Sequence, residues 1–421
     1  MSNKISIGFT GDLGFSGYFT GAYKKTDLLD SNLKEFFKTN DATVINYENP
    51  ITACRITKKK RLAHRSDPEA LDFIKANFNN PILSFANNHL MDYGYIGMID
   101  TIENTESARL PYIGAGRNID EASKMIIVGD DIKIGIMSMQ YKKYMVANDI
   151  HGGPFHESSD AYIKKRVEEF RSSVDWLVLV YHGGDEFLYS PMPYIRKLLK
   201  KYLDWGCDVV VAHHPHVVQG FEHVGKKAIF YSLGNFIFDT DYQRVQEGTD
   251  KGMLLRLTFT KNDFSFDGVP TFIDRDKQTV SQGTPNSHFA DISKTNYNAL
   301  WTSEAYRKLK VMQKAAELKE LESEEKMQLA EKESLRVEQL KRAHIMKLIQ
   351  KNLANDSDLD EFDENVENEK QTATGKKSFY KKMRAAYRKI VVQAPANRRA
   401  LKLKCGRLLY KIFYKSKTIS D

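Results

Sequence analysis

Three imidazoles crowd one turn. His213, His214 and His216, with Pro215 before the last, follow directly on the β-branched run Val209–Val211. A proline-stiffened turn at a strand's end can aim His214 and His216 at neighbouring points, as a metal centre or a metal pair requires. The competing use of such residues is to cap the strand or to hydrogen-bond locally. Ligand-type residues recur after other apolar runs. Gly11-Asp12 follows Ile5–Thr10, Glu48 follows Thr43–Asn46, and Asn87, Asn88 and His89 follow Ile82–Phe85. His182, Gly183 and Gly184 follow Trp176–Tyr181, with Glu186 just beyond. Taken singly, each has an ordinary explanation as a turn residue, an N-cap, a left-handed bend or a core histidine. Five such groups at successive strand ends point to one centre. Carboxylate, amide oxygen and imidazole together suit one or two divalent ions of the Mn, Fe(II), Zn or Ni type. The lack of cysteine among them argues against a structural zinc cluster.

These residues need a scaffold that brings strand ends together. From Lys4 to about Arg275 short apolar runs alternate with amphipathic stretches, the pattern of an α/β domain. Further strands are expected at Lys133–Ser138 and Ala228–Tyr231, with a closing pair at Met253–Phe259 and Thr271–Ile273. Helices are expected over Asp27–Phe37, Pro68–Ala76, Tyr95–Ala108, Ala161–Ser172 and Met192–Trp205. Open α/β sheets place their sites at the carboxyl ends of strands, where these residues fall. Gly11 and Gly14 would let backbone and carboxylate approach the centre closely.

The 421-residue chain is 41% hydrophobic and 11% aromatic, enough for a sizeable core. It has no apolar run of transmembrane length, and its N-terminus lacks a signal-peptide h-region. Three widely spaced cysteines, Cys54, Cys207 and Cys405, fit reduced thiols and a cytoplasmic setting. The expected organisation is a domain over 1–275, a polar linker over 276–302 and a long charged helix over 303–353, whose broken apolar seam leaves a coiled coil open. An acidic, disordered segment over 354–375 and a basic amphipathic tail over 376–421 follow. The formal charge of +8 therefore averages strongly segregated blocks.

Seven blocks, FTGDLG, INYENPIT, SFANNHLMDYGYIGMIDT, YIGAGRN, VYHGGDEF, VVVAHHPHVVQGFE and IFYSLGNFIFD, occur in this order. Together they resemble the CapA family of capsule and poly-γ-glutamate synthesis, which is related to the calcineurin-like metallophosphoesterases. The resemblance covers about residues 4–275 and implies a metallophosphoesterase-like sandwich of two β-sheets flanked by helices. Carried over position by position, it implies Asp12, Glu48, Asn88, His182, His214 and His216 as metal ligands, with Glu48 in the bridging place. His89 would be the acid/base histidine. Two departures stand out: Gly14 occupies the position of a ligand histidine in the metallophosphoesterase pattern, and Glu48 stands where that superfamily supplies a second Asp.

The expected chemistry is metal-assisted hydrolysis or transfer at a phosphoester or similar anionic ester. His89 would protonate the leaving oxygen, oriented by Asp92. His213 and Glu186 would position an imidazole or a water, while Asn235 and Asp239 would line the cleft. Arg65, ending the basic run Arg55, Lys58, Lys59, Lys60, Arg61 and His64, would steer or clamp an anionic substrate, or belong to a solvated loop. The alternative is a non-catalytic, anionic-polymer-binding scaffold of a polymer-synthesis assembly. The tail suits the inner membrane face or a polyanionic partner. No readout motif accompanies its charge, so nucleic acid is not an expected partner.

Overall fold

The computed structural model describes residues 4–57, 63–141, 145–156, 159–295 and, beyond them, 303–304, 307–308, 311–312, 314 and 317. Most of the charged helix, the acidic segment, the basic tail and Lys58 to Arg61 lie outside the described residues. No described helix is long and apolar enough to cross a membrane.

The apolar runs assemble into two large sheets. One has seven strands in the order Thr279–Gln282, Phe264–Asp274, Lys251–Phe259, Ile5–Phe9, Ala42–Asn46, Pro81–Ser84 and Tyr112–Ile113. Its Ile5–Phe9, Ala42–Asn46, Pro81–Ser84 and Tyr112–Ile113 strands are mutually parallel. The other sheet has six strands in the order Phe221–Val224, Lys227–Phe230, Val209–His213, Trp176–His182, Ile134–Gln140 and Ile126–Val128. Its four middle strands are parallel and its two outer pairs antiparallel.

Side-chain alternation sorts each strand between two cores. Trp176, Val178 and Val180 join Val209, Val211, Ile134 and Ile136 against Ile7, Phe9 and Val44 of the opposite sheet. Leu177, Leu179, Tyr181 and Val210 face outward and bury Ile163, Val167, Leu199 and Leu203 from helices Asp160–Arg171 and Pro193–Trp205. Helices Ser31–Lys38, Ala70–Asn77 and Gly94–Ser107 cover the outer face of the first sheet through Leu33, Phe37, Ile74, Met98 and Ile102. Strands buried on both faces read as continuous apolar runs, which is why Trp176–Tyr181 and Val209–Val211 stand out in the sequence.

Some boundaries differ from the sequence pattern. The first helix begins at Ser31, not Asp27, because the Asp30 carboxylate accepts the Leu33 N–H at 2.9 Å and caps it there. Thr279–Gln282, inside the expected linker, pairs with Phe264–Asp274 as an edge strand, so the sheet runs beyond residue 275. Only Val280 of that strand is buried, leaving it little apolar signature. Phe264–Asp274 is eleven residues long, where Thr271–Ile273 alone was expected; Asp267, Gly268 and Pro270 interrupt its pattern.

Candidate metal centre

Parity along three strands directs the site. Counting from Val178 and Val180 in the inter-sheet core, His182 falls on the same face. His213 follows Val209 and Val211, and Asn46 follows Ala42 and Val44. His182 and His213 are direct neighbours in the parallel register. All three side chains therefore meet at the carboxyl ends of parallel strands, between the sheets. Asp12 enters from beyond Ile5–Phe9, with its backbone N–H donating to the Gly234 carbonyl at 2.9 Å. A Cβ at Gly11 would collide with that carbonyl oxygen, so glycine is what allows this approach. Gly14 likewise leaves room for the Asn49 side chain.

The donors converge. Asp12, Glu48, His182, His213, His214 and His216 are all buried, with both carboxylates 0% exposed. His216 Nδ1 lies 2.9 Å from Asp12 Oδ2 and 3.0 Å from Asn235 Oδ1, so its Nε2 faces Glu48 Oε1 at 3.5 Å. His182 Nε2 stands 3.5 Å from that same oxygen and 2.7 Å from Asn88 Oδ1. His213 Nδ1 is 3.5 Å from Asp12 Oδ1. Ligand atoms of Glu48, His214 and His216 lie within 4.8 Å of one another, as do those of Asp12, Glu48 and His182. The two triads share Glu48.

A buried carboxylate is costly unless it is paired or hydrogen-bonded. Neither oxygen of Glu48 has a hydrogen-bond partner. Two ligand atoms on a tetrahedral ion, at bond lengths of ~2.1 Å, stand about 3.4 Å apart. The 3.5 Å from Glu48 Oε1 to each of His182 Nε2 and His216 Nε2 matches that spacing. The donor set thus fits a divalent cation.

Electrostatics divides the cluster. Burial, reinforced by the Asp12 charge, pushes Glu48 well above its usual carboxylate range. Burial would also raise Asp12, but hydrogen bonds to His213 and His216 outweigh it and hold Asp12 well below. Burial and the neighbouring His214 depress His182. His216 is pushed up to about 10: burial opposes its charge, but Glu48 and Asp12 prevail. The backbone is strained at the same place, with φ at +97° for His214 and +59° for His216. Side chains other than glycine rarely adopt such values, and they persist at functional sites where the surroundings enforce them.

A dyad adjoins the cluster. His89 Nδ1 and Asp92 Oδ2 are 2.8 Å apart, and the same oxygen accepts the His64 backbone N–H at 2.8 Å. The His64 ring meets that of His89 edge-on at 4.4 Å. Glu186 accepts from the Tyr242 hydroxyl at 3.1 Å, and its charge contributes to the shifts of Glu48 and His216. Asp239 is held by Arg244, at 2.8 Å from Nε. Arg65 Nη1 donates to the Asp67 carboxylate at 2.7 Å and the Thr52 carbonyl at 2.9 Å, which ties that nitrogen to its own loop. Sequence reasoning missed Asn46, whose Nδ2 donates to Asp12 Oδ1 at 2.8 Å and lies 3.4 Å from His182 Nδ1. Its signal was parity: a polar residue ending a strand on the inward face.

The chain is 30% identical over 251 residues to "PGA biosynthesis protein CapA" of Bacillus subtilis (strain 168), covering 58% of this chain and 66% of that protein. It is 28% identical over 316 residues to "Capsule biosynthesis protein CapA" of Bacillus anthracis, covering 72% of this chain and 76% of that protein. Among solved structures, 5′-nucleotidase from Candida albicans SC5314 aligns with a TM-score of 0.35 and 9% identity, over 65% of this chain and 53% of that one. The family model "Bacterial capsule synthesis protein PGA_cap" matches residues 6–240, more than half of the chain and every buried donor of the cluster. The chain belongs to the PGA_cap family of bacterial capsule synthesis proteins.

Proposed function

We propose that this chain is a metal-dependent, phosphoesterase-like hydrolase of capsule, exopolysaccharide or poly-γ-glutamate biosynthesis. The observation that carries the reading is Glu48, a fully buried carboxylate without a hydrogen bond, set between two triads of ligand atoms. Glu48, His214 and His216 would hold one divalent ion, and Asp12, Glu48 and His182, with Asn88 against His182, a second. When bound, such an ion supplies a Lewis acid for an anionic ester oxygen and for the attacking water.

The chain's own residues supply the rest. Asp12 and Asn235 fix the His216 ring through Nδ1, which orients Nε2 inward. Asn46 holds Asp12 from the other side. The Asp92 carboxylate accepts a hydrogen bond from the Nδ1–H of His89, which leaves proton exchange to Nε2, the nitrogen that would protonate a leaving oxygen. Asp92 is itself fixed by the His64 N–H. The walls bury the donors, so ion–substrate electrostatics would act with little screening by water.

The test is metal analysis of the purified protein, joined to an activity screen on phosphomonoesters, phosphodiesters and γ-glutamyl polymers with Mn, Fe(II), Zn or Ni added. Asp12→Ala, His214→Ala and His89→Ala should each abolish turnover, with His89→Ala retaining the metal. Bound metal with no turnover on any of these, and a cellular role preserved in His89→Ala, would replace the hydrolase by a polymer-binding scaffold.

A further inference from the structure

Residues beyond the sheets touch the wall of the centre. Glu304, Arg307 and Lys308 come from the start of the charged extension, and their partners lie in the 185–190 loop that follows His182. The Glu304 carboxylate, 7% exposed, accepts the Tyr189 N–H at 2.9 Å. Arg307 Nε donates to the Phe187 carbonyl at 2.6 Å, and Lys308 reaches Asp185 at 2.6 Å. The Arg307 guanidinium lies 3.5 Å from the Tyr189 ring centroid, while His288 stacks on that ring at 3.8 Å and 12°. Two planar groups that close to one centroid must occupy opposite faces, so Tyr189 is sandwiched.

Two routes lead from Arg307 to one candidate ligand. Along the first, Phe187 accepts Arg307 at its carbonyl and donates its own N–H to the Pro215 carbonyl at 2.7 Å, next to His216. Phe187 has φ at +63°, a conformation a phenylalanine keeps only when held, and its ring lies 6.0 Å from that of His216. Along the second, Arg307 Nη2 donates to the Glu247 carbonyl at 3.2 Å, in the turn that presents Thr249. The Thr249 carbonyl accepts Asn235 Nδ2 at 2.9 Å, and Asn235 Oδ1 is the 3.0 Å partner of His216 Nδ1.

We propose that Arg307, with Glu304, is a positioning residue for the metal centre: the base of the C-terminal extension holds the 185–190 loop and the 247–249 turn, and through both it sets the His216 ring. The proposal rests on the metal reading above for its effect on affinity, and on geometry alone for its effect on the loop. It makes Glu304, Arg307 and Lys308 part of the site's scaffold, so that releasing their contacts loosens His216.

The experiment uses the full chain, with Arg307→Ala, Arg307→Lys and Glu304→Gln set against Arg256→Ala. Arg256 is a matched control, since it also covers an aromatic ring, that of Phe36, and donates to Asn40, away from the centre. Hydrogen exchange over 183–190 and 213–219 and the Mn2+ dissociation constant are read beside thermal stability. Arg307→Ala should speed exchange in both segments and weaken Mn2+ binding several-fold, less than the roughly 10-fold lower range for a group bonded to a ligand, because Arg307 acts through intervening residues. Arg307→Lys should not restore either, because an ammonium cannot span two carbonyls as the planar fork does. Arg256→Ala should lower stability without changing exchange or affinity there. Faster exchange with unchanged Mn2+ affinity, or no change in exchange, overturns the proposal. If the wild-type chain binds none of Mn2+, Fe2+, Zn2+ or Ni2+, the metal reading fails and exchange at 213–219 alone decides the positioning role.

Discussion

Two buried glutamates in this molecule face opposite circumstances. Glu222, 3% exposed on the strand Phe221–Val224, accepts from Arg196 Nε and Nη2 at 2.8 and 2.7 Å and from the Tyr231 hydroxyl at 2.9 Å, and Lys200 stands 2.6 Å away. Burial works against its charge, but these partners outweigh it and hold its pKa below the usual range. Glu48, 0% exposed, has hydrogen bonds to neither oxygen, and its pKa moves upward. Both carboxylates are shut off from solvent, but Glu222 lies near the surface beside cations that reach water, whereas Glu48 is enclosed on every side; depth and partners differ together. A carboxylate answered by cationic side chains is part of the architecture. One that shares a single raised imidazole, His216, with a second buried carboxylate is left under-compensated and fits a divalent cation.

The contrast breaks most sharply at Glu48. Glu48→Gln should weaken divalent-metal binding by more than the roughly 100-fold that loss of an outer partner can cost, as read by titration calorimetry. In the presence of a chelator it should leave the melting temperature equal or higher, since the amide relieves the burial of an acid, the largest cause of its raised pKa. Glu222→Gln should do the reverse. Metal affinity should hold, while stability falls by about 2 kcal/mol in chemical denaturation. That is below the roughly 3–5 kcal/mol of a fully enclosed pair, because Arg196 and Lys200 retain access to water.

Asn46→Ala sharpens the boundary between holding a ligand and being one. It removes the donor to Asp12 and should cost about 10-fold in metal affinity with no change in stoichiometry.

A further contrast lies in the pH trend of chelated protein. Glu48 has a raised pKa in the folded chain, so above its ordinary value of 4.5 the unfolded chain sheds this proton first. Wild type should then lose stability relative to Glu48→Gln as pH rises from 5 to 8. Glu222 has a depressed pKa, so its contribution is present above its ordinary value of 4.5 and is lost as pH falls toward the folded value. Melting curves of the three proteins across pH would show trends of opposite sign.

Much of this was legible in the residues because strands buried on both faces leave continuous apolar runs, and the runs ended where ligand-type side chains began. Histidines at 182, 213, 214 and 216 needed only that placement to suggest a common centre. Other features left weaker marks. Thr279–Gln282 is a half-exposed edge strand with one buried residue, so composition read it as linker. The short pairing of Asp12–Leu13 with Asn235–Ile237 joins residues more than two hundred positions apart and has no local signature. Sequence left Arg65 open between an anion clamp and a loop residue, because it cannot show that Asp67 and the Thr52 carbonyl engage its Nη1. Asn46 was missed although its parity pointed inward, since an asparagine ending a strand usually signals a turn.

The most direct test is anomalous diffraction from metal-soaked crystals of the full chain, collected on both sides of the metal's absorption edge. The account predicts a peak within bonding distance of Glu48 and of His214 with His216, or of Asp12 with His182, and the loss of that peak in Glu48→Gln. Peaks only on the surface, with Glu48 found bonded to protein groups alone, would contradict it.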